Sequence, residues 1–581
     1  MKKNLLLLLI LACATNLCGQ GGFTKITDTT NPITQLSTTA RYRGAAWVDL
    51  DNDGLVDLFA APNTVFMNKG DAKFVIKDAQ IAVPISSISG CSFADYDNDG
   101  KLDLLLSSPS NSLYLGNGDG SFRNISTQIP NNTNAVSWAC AFGDINNDAR
   151  MDFIFVHPAG FLTKPSQKNK LYKQTATGIQ QIIGSYTVTN DTFPYTIPFW
   201  SDYDLDGDMD LFVSAGPATG SIGPDFCYQN LWKETGKDSF VRLTQPLFAA
   251  EQQDGQTYNF IDYDNDGDLD LCLTNYSGAK TRFYRREANG SYTSLTTPFT
   301  NVRARLDNAW GDFDNDGDLD VIMTSDGGTP VEMYLNENGV FSAVTTGTAI
   351  TAASRCSGAT VGDYDNDGDL DVFIHGTTTQ AGERTFGLYQ STYTRNGNRF
   401  VSFNCVGKQS NRAAIGTKLR IKATIGGNAV WQMREILAQN TFQGQNDLRV
   451  HFGLKNATII DSVEVTWLSG RKDVFTNLAV NNFFRITEGE PIVMTTPVDE
   501  SEVKTNFARI YPNPTTNELF VEWDKTLTIN SDIEIFDTAG RLHIRQPSHQ
   551  TTISTRLLPA GTYYLRLYAE QGLIMKKFIK Q

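Results

Sequence analysis

A nine-residue pattern, D-x-D-x-D-G-x-x-D, recurs seven times and constrains the fold of this chain more than any other feature. The copies begin at Asp49, Asp95, Asp144, Asp202, Asp262, Asp312 and Asp363. Their mean spacing is about 52 residues. That period suits a four-stranded propeller blade and is too long for most helical repeats. The repeat therefore predicts a ring of seven similar units.

Each copy lies between two short apolar stretches. The second copy follows CSFA and precedes LDLLL, which is the pattern of a strand, a tight loop and another strand. A second hairpin follows, with aromatic residues on either side of a glycine-containing turn, as at Tyr114, Gly118 and Phe122. Two hairpins per repeat predict four strands, and hence an all-β, seven-bladed β-propeller.

The phase of the pattern predicts how the ring closes. Residues 23–28 (FTKITD) resemble the fourth strand of a repeat that has no first three strands, while the seventh repeat reaches its third strand near Tyr389. Pairing these two pieces completes one blade and removes two exposed sheet edges.

The nine residues also have the chemistry of a calcium loop. Positions one, three and five place three carboxylates around a turn, glycine at position six permits positive φ, position seven offers a backbone carbonyl, and the aspartate at position nine closes the shell. Hard oxygen ligands favour Ca²⁺ over zinc or copper. The net charge of −15 fits, because seven Ca²⁺ ions would add about fourteen positive charges. The sequence therefore predicts about six or seven structural Ca²⁺ sites.

The predicted metal ligands share positions one, three, five, seven and nine of their copies. They are Asp49, Asp51, Asp53, Leu55 and Asp57; Asp95, Asp97, Asp99, Lys101 and Asp103; Asp144, Asn146, Asp148, Arg150 and Asp152; Asp202, Asp204, Asp206, Asp208 and Asp210; Asp262, Asp264, Asp266, Asp268 and Asp270; Asp312, Asp314, Asp316, Asp318 and Asp320; Asp363, Asp365, Asp367, Asp369 and Asp371. The third copy departs from the pattern, since Asn146 replaces a carboxylate and Ala149 replaces the glycine. Alanine in a left-handed conformation costs about 1 kcal/mol, so this site is expected to be weak or empty.

The chain begins like an exported protein. Lys2 and Lys3 precede an apolar run and then small residues, which predicts a signal peptide over residues 1–19. Cleavage after Ala14 fits an A-x-A signal-peptidase site, whereas Leu11, Ala12 and Cys13 loosely resemble a lipoprotein box. No later stretch is long and apolar enough to cross a bilayer, so no transmembrane segment is expected in the mature chain. The acidic charge argues against nucleic acid as a partner.

The repeats resemble the FG-GAP or VCBS repeats of the integrin α-subunit propeller, and we assign residues 20–398 to this domain. The resemblance implies that structural calcium ions occupy hairpin loops on one rim of the propeller. It also implies that partners bind the other face.

Two further β-rich domains follow. Residues 399–490 resemble an ASPIC/UnbV domain through NRAAIGTKLRI, Arg434 with Glu435, Gln443, HFGL and TWLSG. A propeller followed by such a domain is similar to the cartilage acidic protein family. A Pro-, Thr- and acid-rich stretch, 491–506, is interpreted as a linker. Residues 507–581 carry YPNP, IEIFDTAGR and LPAGTYYLRL. They resemble the type A C-terminal sorting domain of the type IX secretion system, which implies a small β-sandwich and export across the outer membrane by that machinery.

A binding function is favoured over catalysis. His157 and His375 are placed just after strands, where packing is the usual role, and His451 is interpreted as structural. The pairs of aspartates that could act as the acid and base of a glycosidase are already assigned to the metal loops. We expect a secreted or cell-surface protein that binds an extracellular glycan or protein and is not an enzyme. The alternative is a carbohydrate-active enzyme, similar to a polysaccharide lyase, that uses the open face of the propeller.

Aromatic and cysteine residues leave two further expectations. The aromatic residues considered for stacking on sugars or for the blade core are Trp138, Trp200, Trp310 and Tyr195. Blade core is the favoured interpretation. Cys91, Cys140 and Cys272 lie in apolar strand patterns and are expected to be buried thiols.

Overall fold

The computed structural model describes most of the chain. The described residues are 22–36, 41–70, 72–107, 110–132, 137–157, 168–183, 187–190, 195–216, 223–276, 278–300, 302–346, 348–377, 386–393, 397–495, 508–523, 529, 531–538, 540–569 and 572–581. The predicted signal peptide and its cleavage site lie outside them. Within these ranges, no helix has the length and apolarity that a bilayer crossing requires.

The repeats form seven β-sheets. Their strands are β1 (Phe23–Lys25), β2 (Arg41–Tyr42), β3 (Ala45–Val48), β4 (Asp57–Ala60), β5 (Thr64–Asn68), β6 (Phe74–Asp78), β7 (Cys91–Ala94), β8 (Asp103–Leu106), β9 (Ser112–Gly116), β10 (Phe122–Asn124), β11 (Ala139–Gly143), β12 (Asp152–Val156), β13 (Lys170–Thr175), β14 (Gly178–Ile182), β15 (Tyr195–Ser201), β16 (Asp210–Ala215), β17 (Phe226–Asn230), β18 (Phe240–Arg242), β19 (Gly255–Ile261), β20 (Asp270–Asn275), β21 (Arg282–Arg286), β22 (Tyr292–Ser294), β23 (Asp307–Gly311), β24 (Asp320–Thr324), β25 (Glu332–Glu337), β26 (Val340–Ala343), β27 (Gly358–Gly362), β28 (Asp371–Thr377) and β29 (Gly387–Ser391).

Six sheets are four consecutive antiparallel strands each, from β3–β6 through β23–β26. The first strands of successive sheets contact one another in cyclic order, and β27 contacts β3. The sheets therefore form a closed ring of seven blades whose first strands line the axis. The predicted all-β propeller is confirmed.

The seventh blade is completed by the N-terminus, as predicted. β1 pairs with β29, with Phe23 opposite Ser391 and Lys25 opposite Tyr389. β2 adds a short pairing to the end of β28. Because the first and last strands belong to one sheet, the ring has no free edge at its seam.

Aromatic side chains fill the space between blades. Trp47 of blade one stacks on Tyr364 of blade seven at 6.0 Å between ring centroids. Phe59 and Phe93 join blades one and two with centroids 5.3 Å apart. All four side chains are buried, so the blades associate mainly by apolar contact.

Helices within the described residues are few and short. The α-helices are α1 (Thr187–Asn190), α2 (Trp232–Thr235) and α3 (Leu247–Ala250), and the 3₁₀ turns are Pro32–Thr34, Ser126–Gln128 and Ile350–Ala352. All lie in connections between strands.

The second domain is a sandwich of two sheets. Its strands are β30 (Arg399–Val406), β31 (Lys418–Ile425), β32 (Asn428–Glu435), β33 (Val450–Lys455), β34 (Ile460–Thr466), β35 (Lys472–Leu478), β36 (Asn482–Thr487) and β37 (Val493–Thr495). The sheet orders are β33-β30-β36-β37 and β32-β31-β34-β35. β37 lies in the segment that the sequence assigns to a linker. It pairs with β36 because Ile492 and Met494 alternate into the core, a pattern too short to stand out from the polar residues around it.

The C-terminal domain is a smaller sandwich. Its strands are β38 (Ala508–Tyr511), β39 (Glu518–Trp523), β40 (Ile533–Asp537), β41 (Leu542–Gln546), β42 (Thr552–Ser554), β43 (Gly561–Ala569) and β44 (Gly572–Lys580). It docks on the second domain through Arg566, which pairs with Glu534 at 2.7 Å and donates to the carbonyls of Val480 and Asn481 at 3.0 and 3.1 Å.

The second domain also enters the propeller. Residues 438–446, here called the plug, contact the first strands of blades on all sides of the axis. Gln445 bonds to the backbones of Ala45 and Phe93, and the Phe442 amide donates to Asp307 at 3.0 Å. The Gln443 side chain reaches the carbonyl of Trp138 at 2.8 Å, at the far end of the axis. The plug therefore fills the central channel from the loop side to the opposite face.

Candidate metal centres and the two faces of the ring

All seven nine-residue loops share one hydrogen-bonded frame. The backbone amide at position six donates to the carboxylate at position one in every loop, at 2.8–3.3 Å. The six glycines at position six have φ between 89° and 103°, as the pattern predicts. Ala149 adopts φ 66° in the third loop, so that loop keeps the same turn with a strained residue.

Position nine anchors the loop to its blade. Its carboxylate accepts the backbone amide of the last or next-to-last residue of the third strand in all seven blades, at 2.7–2.8 Å. In several loops the other oxygen accepts the amide of position two, as in Leu50 to Asp57 at 2.9 Å. The bond from position nine to the third strand is not evident from the sequence, because the donor lies 11 to 22 residues farther along the chain.

Position three presents an oxygen with no partner. One oxygen at this position is buried in six loops, with no hydrogen-bond donor among the described residues. These atoms are Oδ1 of Asp51, Asn146, Asp204, Asp264, Asp314 and Asp365. In loops one, two, four and five, carboxylate oxygens of positions one, three and five lie within 4.8 Å of one another. Converging oxygens buried without donors fit a hard divalent cation, since such atoms are otherwise costly to bury.

The electrostatics of the loops agree with this geometry. Burial raises the pKa of Asp57 and of Asp103 to about 8, and that of Asp270 to about 9. Burial also raises the pKa of Asp314 to about 7, with the neighbouring Asp316 carboxylate adding to the shift. These carboxyls are held in places where negative charge is unfavourable unless a cation is close.

The third loop compensates its own charge. The Asn146 amide donates to Asp148 at 3.0 Å, and Arg150 pairs with the same carboxylate at 3.1 Å. Two of the donors that hold Asp148 therefore come from within the loop. The weak or empty third site stays a prediction.

The fourth loop has neighbours that the sequence pattern does not include. Lys418 of the second domain pairs with Asp202, and Glu435 accepts the Asp202 amide at 3.1 Å. Glu234 of α2 brings a carboxylate oxygen within 4.8 Å of those of Asp206 and Asp208. Loop four therefore has charged neighbours of both signs from outside the nine-residue pattern.

The second domain contacts the loop face of the ring through basic side chains. Arg412 lies 3.4 Å from Asp95, and Lys455 pairs with Asp316 at 3.1 Å. Arg449 donates to the Asp363 carbonyl and to Asn366. The loops and the domain thus face each other with opposite charge.

The opposite, open face carries a different set of groups. The Arg43 guanidinium lies 5.5 Å from the Trp138 ring centroid and 3.5 Å from Asp326. Tyr276 lies close enough to Asp326 for that carboxylate to raise the pKa of the tyrosine, and the residue is 39% exposed. Here a half-exposed ring stands beside a cation and an anion.

The aromatic residues considered for sugar stacking belong to the core. Trp138, Trp200, Trp310 and Tyr195 are all buried, which confirms the blade-core interpretation. The predicted thiols Cys91, Cys140 and Cys272 are buried as well.

Of the three histidines of interest, His157 and His375 are buried and His451 is partly buried. His375 lies inside β28 and not after a strand, a correction that reflects the seventh blade's longer second strand. Burial lowers the pKa of His157 and of His375 to about 3, and that of His451 to about 4.

Family comparisons match all three parts of the chain. An FG-GAP-like repeat matches residues 49–106, 104–155, 262–323 and 312–374, which include every loop except the fourth. ASPIC and UnbV matches 407–493, and a secretion system C-terminal sorting domain matches 509–581. A search of curated proteins gave no match.

Several solved structures resemble the chain at low identity. The Tc holotoxin pore of Photorhabdus luminescens is 12% identical with a TM-score of 0.33, over 94% of this chain and 25% of that one. The extracellular domain of a putative one component system from B. thetaiotaomicron is 10% identical with a TM-score of 0.39, over 96% and 59%. A rhamnogalacturonan lyase of Bacillus licheniformis is 12% identical with a TM-score of 0.30, over 75% and 80%. The chain thus spans about a quarter and three fifths of the first two, and none of these TM-scores assigns it a function.

Proposed function

Because the chain combines FG-GAP-like repeats, an ASPIC and UnbV domain and a type IX secretion sorting domain, we propose that it is an exported, calcium-stabilised propeller that binds an extracellular glycan or protein. The sorting domain marks the chain for secretion. The calcium and the ligand are the proposed parts.

The calcium part is supported by the buried oxygens at position three. An oxygen that is buried without a donor destabilises the fold unless a cation or water is bound there. Positions one, three and five would hold Ca²⁺ through carboxylates, position seven through its carbonyl and position nine through its free oxygen where it has one. When bound, the ion would supply charge compensation to the loop, and its role would be structural.

The choice of binding face follows from the second domain. That domain contacts the loop face at loops two, four, six and seven and fills the axis with the plug, so the open face and the outer rim are the surfaces of the ring left for a large ligand. Tyr276, Arg43 and Asp326 offer a stacking ring, a cation and an acceptor side by side. Those are the groups that bind sugar rings or the polar side chains of a protein.

The test is a glycan and protein-ligand screen with the full chain and Tyr276→Ala. We expect about a fivefold loss of binding in Tyr276→Ala, because one aromatic stacking contact contributes about 1 kcal/mol. Tyr511→Ala is the matched control, since Tyr511 is a 43% exposed tyrosine in the sorting domain. Equal binding by Tyr276→Ala and wild type would move the ligand site away from this face.

The same samples test the enzyme alternative. Each binding glycan is incubated with the protein and followed for chain shortening and for the unsaturated product that a lyase releases. We expect binding without turnover. Turnover that Tyr276→Ala abolishes would replace the binding function with catalysis on the same face.

A further inference from the structure

The fourth position of the loops has a structure of its own. Six loops have asparagine there, each with φ between 53° and 62°. Their side-chain amides reach the next loop around the ring and donate to the carbonyl of its position six. The bonds run from Asn52 to Gly100 (3.0 Å), Asn98 to Ala149 (3.1 Å), Asn147 to Gly207 (2.8 Å), Asn265 to Gly317 (3.1 Å), Asn315 to Gly368 (3.1 Å) and Asn366 to Gly54 (3.2 Å).

The peptide unit that receives this bond is tied to a predicted ligand. Its carbonyl belongs to position six and its amide to position seven. That amide donates to Oδ1 of position five in all seven loops, at 2.9–3.1 Å. The asparagine of one loop therefore binds the carbonyl of a peptide unit in the next loop, and the amide of the same peptide unit binds the position-five carboxylate of that next loop.

The series of asparagine bonds continues across the seam of the ring and is interrupted once, between loops four and five. Asn366 of loop seven bonds to loop one, so the series passes the join between the termini. Loop four has Leu205 in place of asparagine, with φ 65°, and an aliphatic side chain cannot donate. The series is therefore an arc that begins at loop five, passes through loops six, seven, one, two and three, and ends at loop four.

The second domain holds part of this arc. The Arg412 amide donates to Oδ1 of Asn98 at 3.2 Å, and an Arg449 guanidinium nitrogen donates to Oδ1 of Asn366 at 2.6 Å. Each contact uses the oxygen of a carboxamide whose nitrogen bridges two loops. The domain thereby favours the bridging orientation at loops two and seven.

We propose that these asparagines couple calcium binding between neighbouring loops along the arc, with a break between loops four and five. The inference rests on the proposed calcium sites. An ion that orders one loop also orders the asparagine at its fourth position. That asparagine in turn holds the peptide plane between positions six and seven of the next loop, which that loop needs for its own ion. The second ion then binds a loop that is already partly ordered, so its binding costs less conformational entropy. The result is positive cooperativity.

Asn52 offers the cleanest test, because its side chain is exposed and its bond to Gly100 is on the surface. Asn52→Gly removes the donor and keeps a residue that accepts positive φ. Asn52→Asp keeps the shape and replaces the donor by an acceptor. Leu205→Gly is the control for backbone freedom at a loop where no bridge exists, and it additionally removes a side chain that is packed partly against the core.

The measurement is a calcium titration of chelator-stripped full chain by calorimetry, with ions per chain counted by native mass spectrometry. We expect wild type and Leu205→Gly to share one cooperative isotherm. Both Asn52 variants should have a lower Hill coefficient, and Asn52→Gly, which adds no charge to the loop, should also bind about fivefold more weakly in the affected steps. Intermediate ion counts should then accumulate below saturation.

The possible failures are distinguishable. If no form binds calcium, the proposed function fails and this inference with it. If all forms bind with one isotherm, calcium binding stands and the coupling is overturned. Equal weakening in Asn52→Gly and Leu205→Gly would also overturn it, because the effect would then belong to the turn and not to the bridge.

Discussion

The third and sixth loops have the same backbone frame and different charge. In both, position one accepts the position-six amide and position nine accepts the third-strand amide. Both loops bury a position-three oxygen that lacks a donor among the described residues, but in loop six it belongs to the Asp314 carboxylate, whereas in loop three it belongs to the neutral Asn146, whose amide donates to Asp148. The frame therefore forms without a full set of carboxylates, and the charge of the loop decides how much it needs a cation.

Removing calcium should separate the two loops most strongly. We expect chelation to lower the melting temperature of the chain by at least about 10 °C, because several bound ions each stabilise the folded state. Hydrogen exchange of the loop-six amides should accelerate while that of loop three changes little. Equal protection of both loops with and without chelator would contradict a greater dependence of loop six on calcium.

The pH dependence of the metal-free protein should follow from the raised pKa values. A carboxyl whose folded pKa lies above its unfolded value stabilises the fold at low pH, and that stability is lost as pH rises through the folded pKa. Burial raises the pKa of Asp314 and of Asp144 to about 7. With chelator, the melting temperature should fall between pH 5 and pH 8. With calcium it should not fall, because deprotonation favours the ion; parallel profiles would count against metal in the loops.

Loop six can be made to resemble loop three by one substitution. Asp314→Asn copies the residue at position three of the third loop and removes one charged ligand. We expect the ion count to fall by one and calcium affinity at that site to drop about tenfold or more, since ligand charge sets affinity. Asp78→Asn, an exposed aspartate outside the loops, is the control and should leave the count unchanged. An unchanged count in Asp314→Asn would remove loop six from the proposed sites.

The smallest expected effect is at Ala149. Ala149→Gly should relieve the left-handed strain of the third loop and stabilise the fold by about 1 kcal/mol. A chain of this size should then melt about 1–2 °C higher, measured by calorimetry in calcium. A lower melting temperature would mean that the alanine is favoured by a contact that glycine cannot replace.

The sequence contains most of the information about the ring. Spacing, strand patterns and the phase of the first strand predict seven blades and their closure, because a repeat reports the same local structure seven times. The glycines at position six and the departure of Ala149 also follow from local backbone geometry.

What the sequence hides depends on long-range partners. Asn52 occupies a variable position of the pattern, and its partner Gly100 lies 48 residues away, although asparagine recurs there in six copies. The plug has no comparable signal: Gln445 meets Phe93 across 352 residues, and nothing in TFQGQN indicates a channel. Such contacts follow from how domains assemble and not from the pattern of any one segment.

The central claim is that the loops hold divalent ions in the folded protein. Native mass spectrometry of the full chain, purified with calcium and then exchanged into metal-free buffer, counts them directly. We expect six or seven calcium ions per chain, with six if the third loop stays empty. A folded chain that carries no ion, and that melts at the same temperature in calcium and in chelator, would contradict the account.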